Sequence, residues 1–341
     1  MRPQSISRLV LLALLLATGC RELEQLVDET EPRPLKRKAV PFVTGLTAPV
    51  GLEVDGKGQL WVTEVGLGND DGKVSLVTPG GKVYPVIEGF RSFTDPAGDF
   101  VGLNHLLLQG NTLWILHAEG KLYRADVSSF RPGDAPLKAN ALAFEDIGSF
   151  VKAYDFEEDT EESNPYNLTL GPGGDFYIVD ASANAIIRRD AKSGALSVFA
   201  TVPGIPNPIP DGPPTVQSRP TGIVFDGHRF LVSTLLGFPF PSEKARIYQF
   251  DLHGNASVYQ DGLNSLIDIE LELDLRPVVL QYGTWTGQEF APNSGRVIRS
   301  TGQKTTTLLE GLNLPTDIER SGLKTYYVTS LAEGSIQKFA Y

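Results

Sequence analysis

Residues 163–184 read SNPYNLTLGPGGDFYIVDASAN. An apolar run reaches Leu170, a glycine turn follows at Gly171–Gly174, and a second apolar run ends at Val179. Two such runs across a glycine turn signal a β-hairpin. A hairpin alone does not explain the polar residues Asn164, Asn167, Asp180 and Asn184, which crowd the points where the two strands begin and finish.

The unit recurs. APVGLEVDGKGQLWVTE begins at Ala48, VGLNHLLLQGNTLWILH at Val101, RPTGIVFDGHRFLVST at Arg219, LIDIELELDLRPVVLQ at Leu266 and LPTDIERSGLKTYYVTS at Leu314. With the opening stretch this makes six copies, at the spacing expected of propeller blades. Third strands follow each copy, such as KVSLVTPGG and AIIRRDAKSG, and fourth strands such as VYPVIEGF and SVFATVPG follow five of them. The sixth copy has SIQKFAY as its third strand, and AVPFVTGL at 39–46 has the pattern to supply its fourth. A ring must leave no open sheet edge, because unpaired backbone groups invite aggregation. The expected fold is therefore all-β: a six-bladed β-propeller over residues 39–341, closed by an N-terminal strand. A β-sandwich would not require glycine turns in a fixed register in six copies.

Composition agrees with a turn-rich chain, since the 341 residues include 35 Gly and 24 Pro. The front end reads as a leader. Arg2 and Arg8 precede an apolar run from Leu9 to Ala17, well short of the ~20 residues that span a bilayer, so residues 1–19 are expected to be a signal peptide. Ala17, Thr18 and Gly19 before Cys20 resemble a bacterial lipobox, with Cys20 as the lipidated residue; an ordinary secretory signal with an incidental cysteine is the alternative. Residues 20–38 form a charged, proline-containing tether. The expected location is the cell envelope, periplasmic or at the cell surface, with membrane contact through the anchor only. The net charge of -11 argues against nucleic acid as a partner.

In a propeller the first strand of each blade lines the central channel, and the second runs back to the same face. Two residues beyond the Pro position the copies carry Gly51, Asn104 (or His105, if the turn is one residue shorter), Asn167, Gly222, Asp268 and Asp317. The second strands end in Glu64, His117, Asp180, Thr234, Gln281 and Ser330. Any one of these residues suits a local turn cap. Together they form an oxygen-rich set at a channel mouth. Carboxylate and amide oxygens suit a hard divalent cation such as Ca²⁺, which would polarise a carbonyl or activate water. Metal ligands are expected among Asn167, Asp268 and Asp317. Asn104, His105, His117, Asn164, Asn167, Gln281 and Phe238 of the LGFPFP stretch are expected to contact a ligand, and Glu64 or Asp180 would be the base of any hydrolytic reaction. His228 and His253 fall in turns on the opposite face and look inert. An acidic loop at 155–163 and a proline-rich segment at 203–220 both feed first strands and so flank the mouth. Nucleophile-elbow, phosphate-loop and dinucleotide motifs do not occur.

The stretches SNPYNLTLGPGGDFYIVDASANAIIR, RPTGIVF with LGFPFP, DGLNSLIDIEL and LPTDIERSGLKTYYVTS resemble the ScyD/ScyE family of NHL-like six-bladed propellers over most of residues 39–341. The resemblance implies an exported, bacterial propeller protein. Glu64 and Asp180 match the family's acids at second-strand ends; Thr234 and Gln281 stand where the family tends to have acids. SMP-30/gluconolactonase enzymes resemble this architecture more distantly, and imply a divalent cation at the channel mouth. Three roles follow as expectations: a lipid-anchored protein that binds a small molecule, glycan or envelope protein; a metal-dependent lactonase or esterase; or an architectural scaffold.

Overall fold

Second-strand segments such as LWVTE (Leu60–Glu64), FYIVD (Phe176–Asp180), FLVST (Phe230–Thr234) and PVVLQ (Pro277–Gln281) are buried along their whole length. Their continuous apolar character fits a strand covered on both faces rather than one wetted on alternate residues. The computed structural model accounts for this. It describes residues 39–341 except 97, 158–160 and 211; the expected signal peptide, Cys20 and the tether lie outside the described residues.

Six sheets stand around one axis, antiparallel throughout except that Leu137–Lys138 joins the outer edge of blade one in parallel. Their innermost strands are Pro49–Val54, Leu103–Gln109, Pro165–Leu170, Pro220–Phe225, Leu266–Leu271 and Pro315–Arg320. Each inner strand touches the one before and the one after it, and the last touches the first. Within each blade the strands follow in chain order outward from the axis. Blade six is completed by Val40–Thr44, which pairs antiparallel with Ser335–Ala340, so the closing strand read from 39–46 is the one observed. Apolar side chains collect between neighbouring blades, one cluster per junction around the ring. Trp114 against Phe176 and Tyr177 against Phe230, with ring centroids 4.8 and 4.2 Å apart, bridge blades two to three and three to four.

The same irregularity opens all six inner strands. The register slips just after the Pro position, between Pro49 and Leu52, Leu103 and Leu106, Pro165 and Asn167, Pro220 and Gly222, Leu266 and Asp268, and Pro315 and Asp317. A bulge of this kind re-aims side chains. Leu106 pairs with Ile115 as Leu168 pairs with Ile178, so the residue of blade two at the polar position is His105, and Asn104 precedes it.

Candidate functional site

The polar position of each inner strand points into the axis. Going round the ring it holds Gly51, His105, Asn167, Gly222, Asp268 and Asp317, all buried. The pattern has an internal logic. His105 Nδ1 of blade two lies 2.9 Å from Asp317 Oδ2 of blade six, past Gly51 of the blade between them. Asn167 Nδ2 of blade three donates to Asp268 Oδ1 of blade five at 2.9 Å, past Gly222 of blade four. Neither glycine is there for a left-handed backbone. A Cβ on Gly51 would stand 2.6 Å from His105 Cα, and one on Gly222 would stand 2.8 Å from the Ile269 nitrogen. The inner strands approach too closely for any side chain at these two positions.

Backbone donors hold the acids in place. Leu52 N–H donates to Asp317 Oδ2 at 2.7 Å, and Ile318 N–H donates to Asp268 Oδ2 at 3.0 Å, each from the next blade. The carboxyls of Asp268 and Asp317 lie beside each other, with oxygens within 4.8 Å. Burial pushes Asp317 up to about 8 and, with the charge of Asp317 beside it, Asp268 well above the usual carboxylate range. Burial also draws the His105 imidazole down to about 4, against the pull of the Asp268 charge. His105, Asp268 and Asp317 each offer a donor atom within 4.8 Å of the others. His105 Nε2 is buried without a hydrogen-bond partner, and the ring of Tyr166 packs against the imidazole at 4.9 Å. A buried polar atom left unpaired ordinarily costs ~1–3 kcal/mol. Three convergent donors, two of them carboxyls that burial keeps protonated, can exchange those protons for a cation.

The donor set fits a divalent metal, with one change from the expected ligands. Imidazole joins the two carboxylates, while the Asn167 oxygen accepts from the Leu168 N–H at 2.7 Å and its amide supports Asp268. A mixed nitrogen and oxygen set suits zinc, manganese or iron better than calcium, which takes oxygen ligands.

The ends of the second strands are not brought to this cluster. Glu64, fully buried, accepts from Thr47 N–H at 2.6 Å and Ser75 Oγ at 2.6 Å, and pairs with Lys73 at 3.3 Å. Asp180 accepts from the N–H groups of Asn164, Ser182 and Ala183 and from Ser163 Oγ. Both carboxylates pin the loops of their own blades. His117 bonds the Arg91 carbonyl at 2.8 Å and accepts from Glu119 N–H. Gln281 donates to Ser294 O, and Asn104 Nδ2 donates to Asn164 Oδ1 and Pro165 O, tying blade two to blade three. Phe238 is 71% exposed, while Phe240 of the same loop packs on Trp285 and Phe290. His228 and His253 are exposed in turns.

One row of channel residues was missed. Two residues along from the polar position stand Glu53, Glu270 and Glu319, partly buried, in three consecutive blades. Burial raises Glu53 to about 8, Glu270 to about 7, and Glu319 well above its ordinary value. The signal was present as D-I-E in IDIEL and TDIER and as G-L-E in VGLEV. Side chains two apart on a strand share a face, so counting one further step would have found them.

No protein-family profile and no curated protein matches this sequence. Solved structures do. A protein provisionally designated a gluconolactonase aligns over 91% of this chain and 93% of its own, with 13% identity and a TM-score of 0.53. A catalytically inactive virginiamycin B lyase variant from Staphylococcus aureus, solved with quinupristin, aligns over 89% and 98% at 15% identity and a TM-score of 0.50. A protein of unknown function from Bacteroides thetaiotaomicron aligns over 86% and 70% at 13% identity and a TM-score of 0.57. At these identities the likeness is one of fold, and a shared fold does not carry a shared reaction.

Proposed function

We propose that this chain is a ScyD/ScyE-like propeller, exported and held to the envelope through lipid on Cys20, whose axial channel binds a divalent metal ion through His105, Asp268 and Asp317. The loaded propeller then presents its channel face to a small molecule, glycan or envelope protein. The observation that carries the metal reading is the meeting of three donors from three blades within 4.8 Å, with an unpartnered imidazole nitrogen in the same group. Electrostatics supports it. Asp268, Asp317, Glu53, Glu270 and Glu319 share one channel, and the cation found against that group among the described residues is Arg320, 3.8 Å from Glu270.

Binding is favoured over turnover because the donors are only 2–4% exposed and Glu64 and Asp180 are engaged within their own blades. The second reading is metal-dependent lactone or ester hydrolysis, in which the ion held by His105, Asp268 and Asp317 would activate water; the convergence of the imidazole with two carboxyls is what favours it. In both readings Asn167 holds Asp268 in position, and the ion would supply Lewis acidity or a charge to grip an oxygen ligand.

Elemental analysis of the purified protein, followed by titration with Zn²⁺, Mn²⁺ and Ca²⁺, tests the site. One equivalent bound by wild type and lost in Asp268→Asn supports it; no binding of any of the three ions refutes it. A lactone and aryl-ester panel with and without EDTA separates the two readings, since only hydrolysis predicts turnover that chelation removes. Mass spectrometry of wild type against Cys20→Ala tests lipidation.

A further inference from the structure

Trp61 and Trp114 hold the same place in the second strands of blades one and two, just ahead of the ends at Glu64 and His117. Trp114 is covered by the next blade. The Phe176 ring packs on it at 4.8 Å, and the Arg189 guanidinium lies 5.0 Å from its ring. Phe176 and Arg189 are paired across blade three, and the corresponding pair in blade two is Leu113 and Ala125. Smaller side chains therefore share the cluster of Trp61. Beside that indole, between blades one and two, a cleft of about 480 Å³ opens, within the size range of small-molecule sites. It lies on the face that carries the turns between first and second strands, since Asp55 and Gly110 of two such turns line it.

A long connection walls the cleft. Residues 127–142 link the third and fourth strands of blade two, where residues 78–82, 190–195, 251–255 and 301–304 suffice in blades one, three, four and five. Long connections in compact domains tend to carry function. This one is braced by its own contacts. Val127 N–H donates to Asn111 O at 2.9 Å, and Arg131 N–H donates to Asp134 Oδ2 at 2.7 Å. Arg131 Nη1 donates to Ser128 O and Phe130 O at 3.1 and 2.8 Å. Further on, Leu137–Lys138 pairs with Ile87–Glu88 of blade one, so the connection straps the two blades together.

The lining gives the cleft its chemistry. Trp61, Leu108 and Phe130 supply apolar surface, and two cations, Lys57 and Arg131, stand against one carboxylate, Asp55. Asp55 Oδ1 is taken up by the Lys57 and Gln59 N–H groups of its own turn, each at 2.8 Å. Lys57 is exposed and makes no ion pair or side-chain hydrogen bond among the described residues. Arg131 uses Nη1 within its loop and keeps Nε and Nη2 for another acceptor. The charge left over is positive.

We propose that this cleft binds a small organic anion: a flat ring carrying a carboxylate, with the ring against Trp61 and Phe130 and the carboxylate held by Lys57 and Arg131. Apolar walls with a few placed polar groups fix and orient such a ligand, and a guanidinium can meet a carboxylate with two parallel N–H bonds. The site is separate from the metal donors and does not depend on them.

The test titrates 2-naphthoate with the full-length protein by ligand-observed NMR, using 2-naphthamide and 2-naphthylmethylammonium as neutral and cationic counterparts. Saturable binding of the anion is expected, weakening as salt is raised, with both counterparts bound less tightly. Lys57→Gln and Arg131→Gln, both at exposed positions, are each expected to weaken it about tenfold, the scale of a lost hydrogen bond to a charged group. Arg131→Gln also removes a brace of the loop, so Lys57→Gln, which touches no bond of the fold, keeps the result readable. Weaker binding in Lys57→Gln supports the assignment. No saturable binding of 2-naphthoate, equal or tighter binding of the cationic probe, or wild-type affinity in Lys57→Gln would overturn it.

Discussion

His105 and Asp317 belong to blades two and six, 212 positions apart in the chain, yet their side chains meet at 2.9 Å past Gly51. Ring closure makes this contact, and the small residue between them leaves room for it. Asn167 and Asp268 repeat the arrangement past Gly222. Two donors thus face two acids across two glycines.

Gly51→Ala tests that spacing. The new Cβ would stand 2.6 Å from His105 Cα, which is backbone and cannot swing away. Overpacking of this kind costs roughly 1–3 kcal/mol, so the variant is expected to unfold at lower urea and to bind metal more weakly. An unchanged urea midpoint would show that the strands have slack.

Metal should stabilise the fold. A ligand at about 100 times its Kd adds ~2.7 kcal/mol, and the ion would also relieve the crowding of Asp268 and Asp317. Zn²⁺ or Mn²⁺ is expected to raise Tm, EDTA to reverse the rise, and His105→Ala to abolish it. Calorimetry on the stripped protein checks all three.

Glu53 gives a pH signature in the metal-free protein. It stands in the field of Asp317 on the neighbouring inner strand, Glu270 one blade further round the ring and Asp55 on its own blade. Burial raises it from an ordinary 4.5 to about 8, so the folded state keeps a proton that the unfolded state gives up. Its contribution therefore falls as pH rises from about 4.5 through about 8, and is constant above that. Unfolding curves across this range should show a downward slope in wild type that Glu53→Gln reduces. Equal slopes in the two proteins would refute the assignment.

Arg189 fastens blade three to blade two. Its Nε and Nη2 reach Glu145 at 2.6 Å each, and its guanidinium lies 5.0 Å from the Trp114 ring and 5.7 Å from Phe176. Arg189→Ala should cost about 1–3 kcal/mol, between the values for exposed and buried pairs, because the Glu145 side chain is 34% exposed and that of Arg189 10%. Arg189→Lys should recover less than half, since an ammonium cannot match a planar two-pronged contact. Urea denaturation of both variants measures this.

Removing residues 39–46 should expose the edge of Ser335–Ala340, which pairs with Val40–Thr44, and uncover Tyr327 and Ile336 of the apolar cluster that Val43 and Leu46 complete. Aggregation is the expected result, read by light scattering. A monodisperse truncation with wild-type Tm would contradict the closing role.

The sequence by itself determined the blade. Local alternation, glycine turns and the spare strand at 39–46 repeat in linear order, and hydrogen bonding between successive strands needs no distant information. It also set out the inward residues Asn167, Asp268 and Asp317 by simple register. Only the tertiary structure decided which polar ends serve the axis and which serve their own loops. Glu64 and Asp180 read like Asp268 and Asp317 in the sequence, but they sit one strand out, where backbone N–H groups satisfy them. The choice of His105 over Asn104 turned on a bulge of one residue, which reverses the direction of a side chain. Membership of one cluster depends on six blades closing, because closure alone sets distances between residues that never meet along the chain.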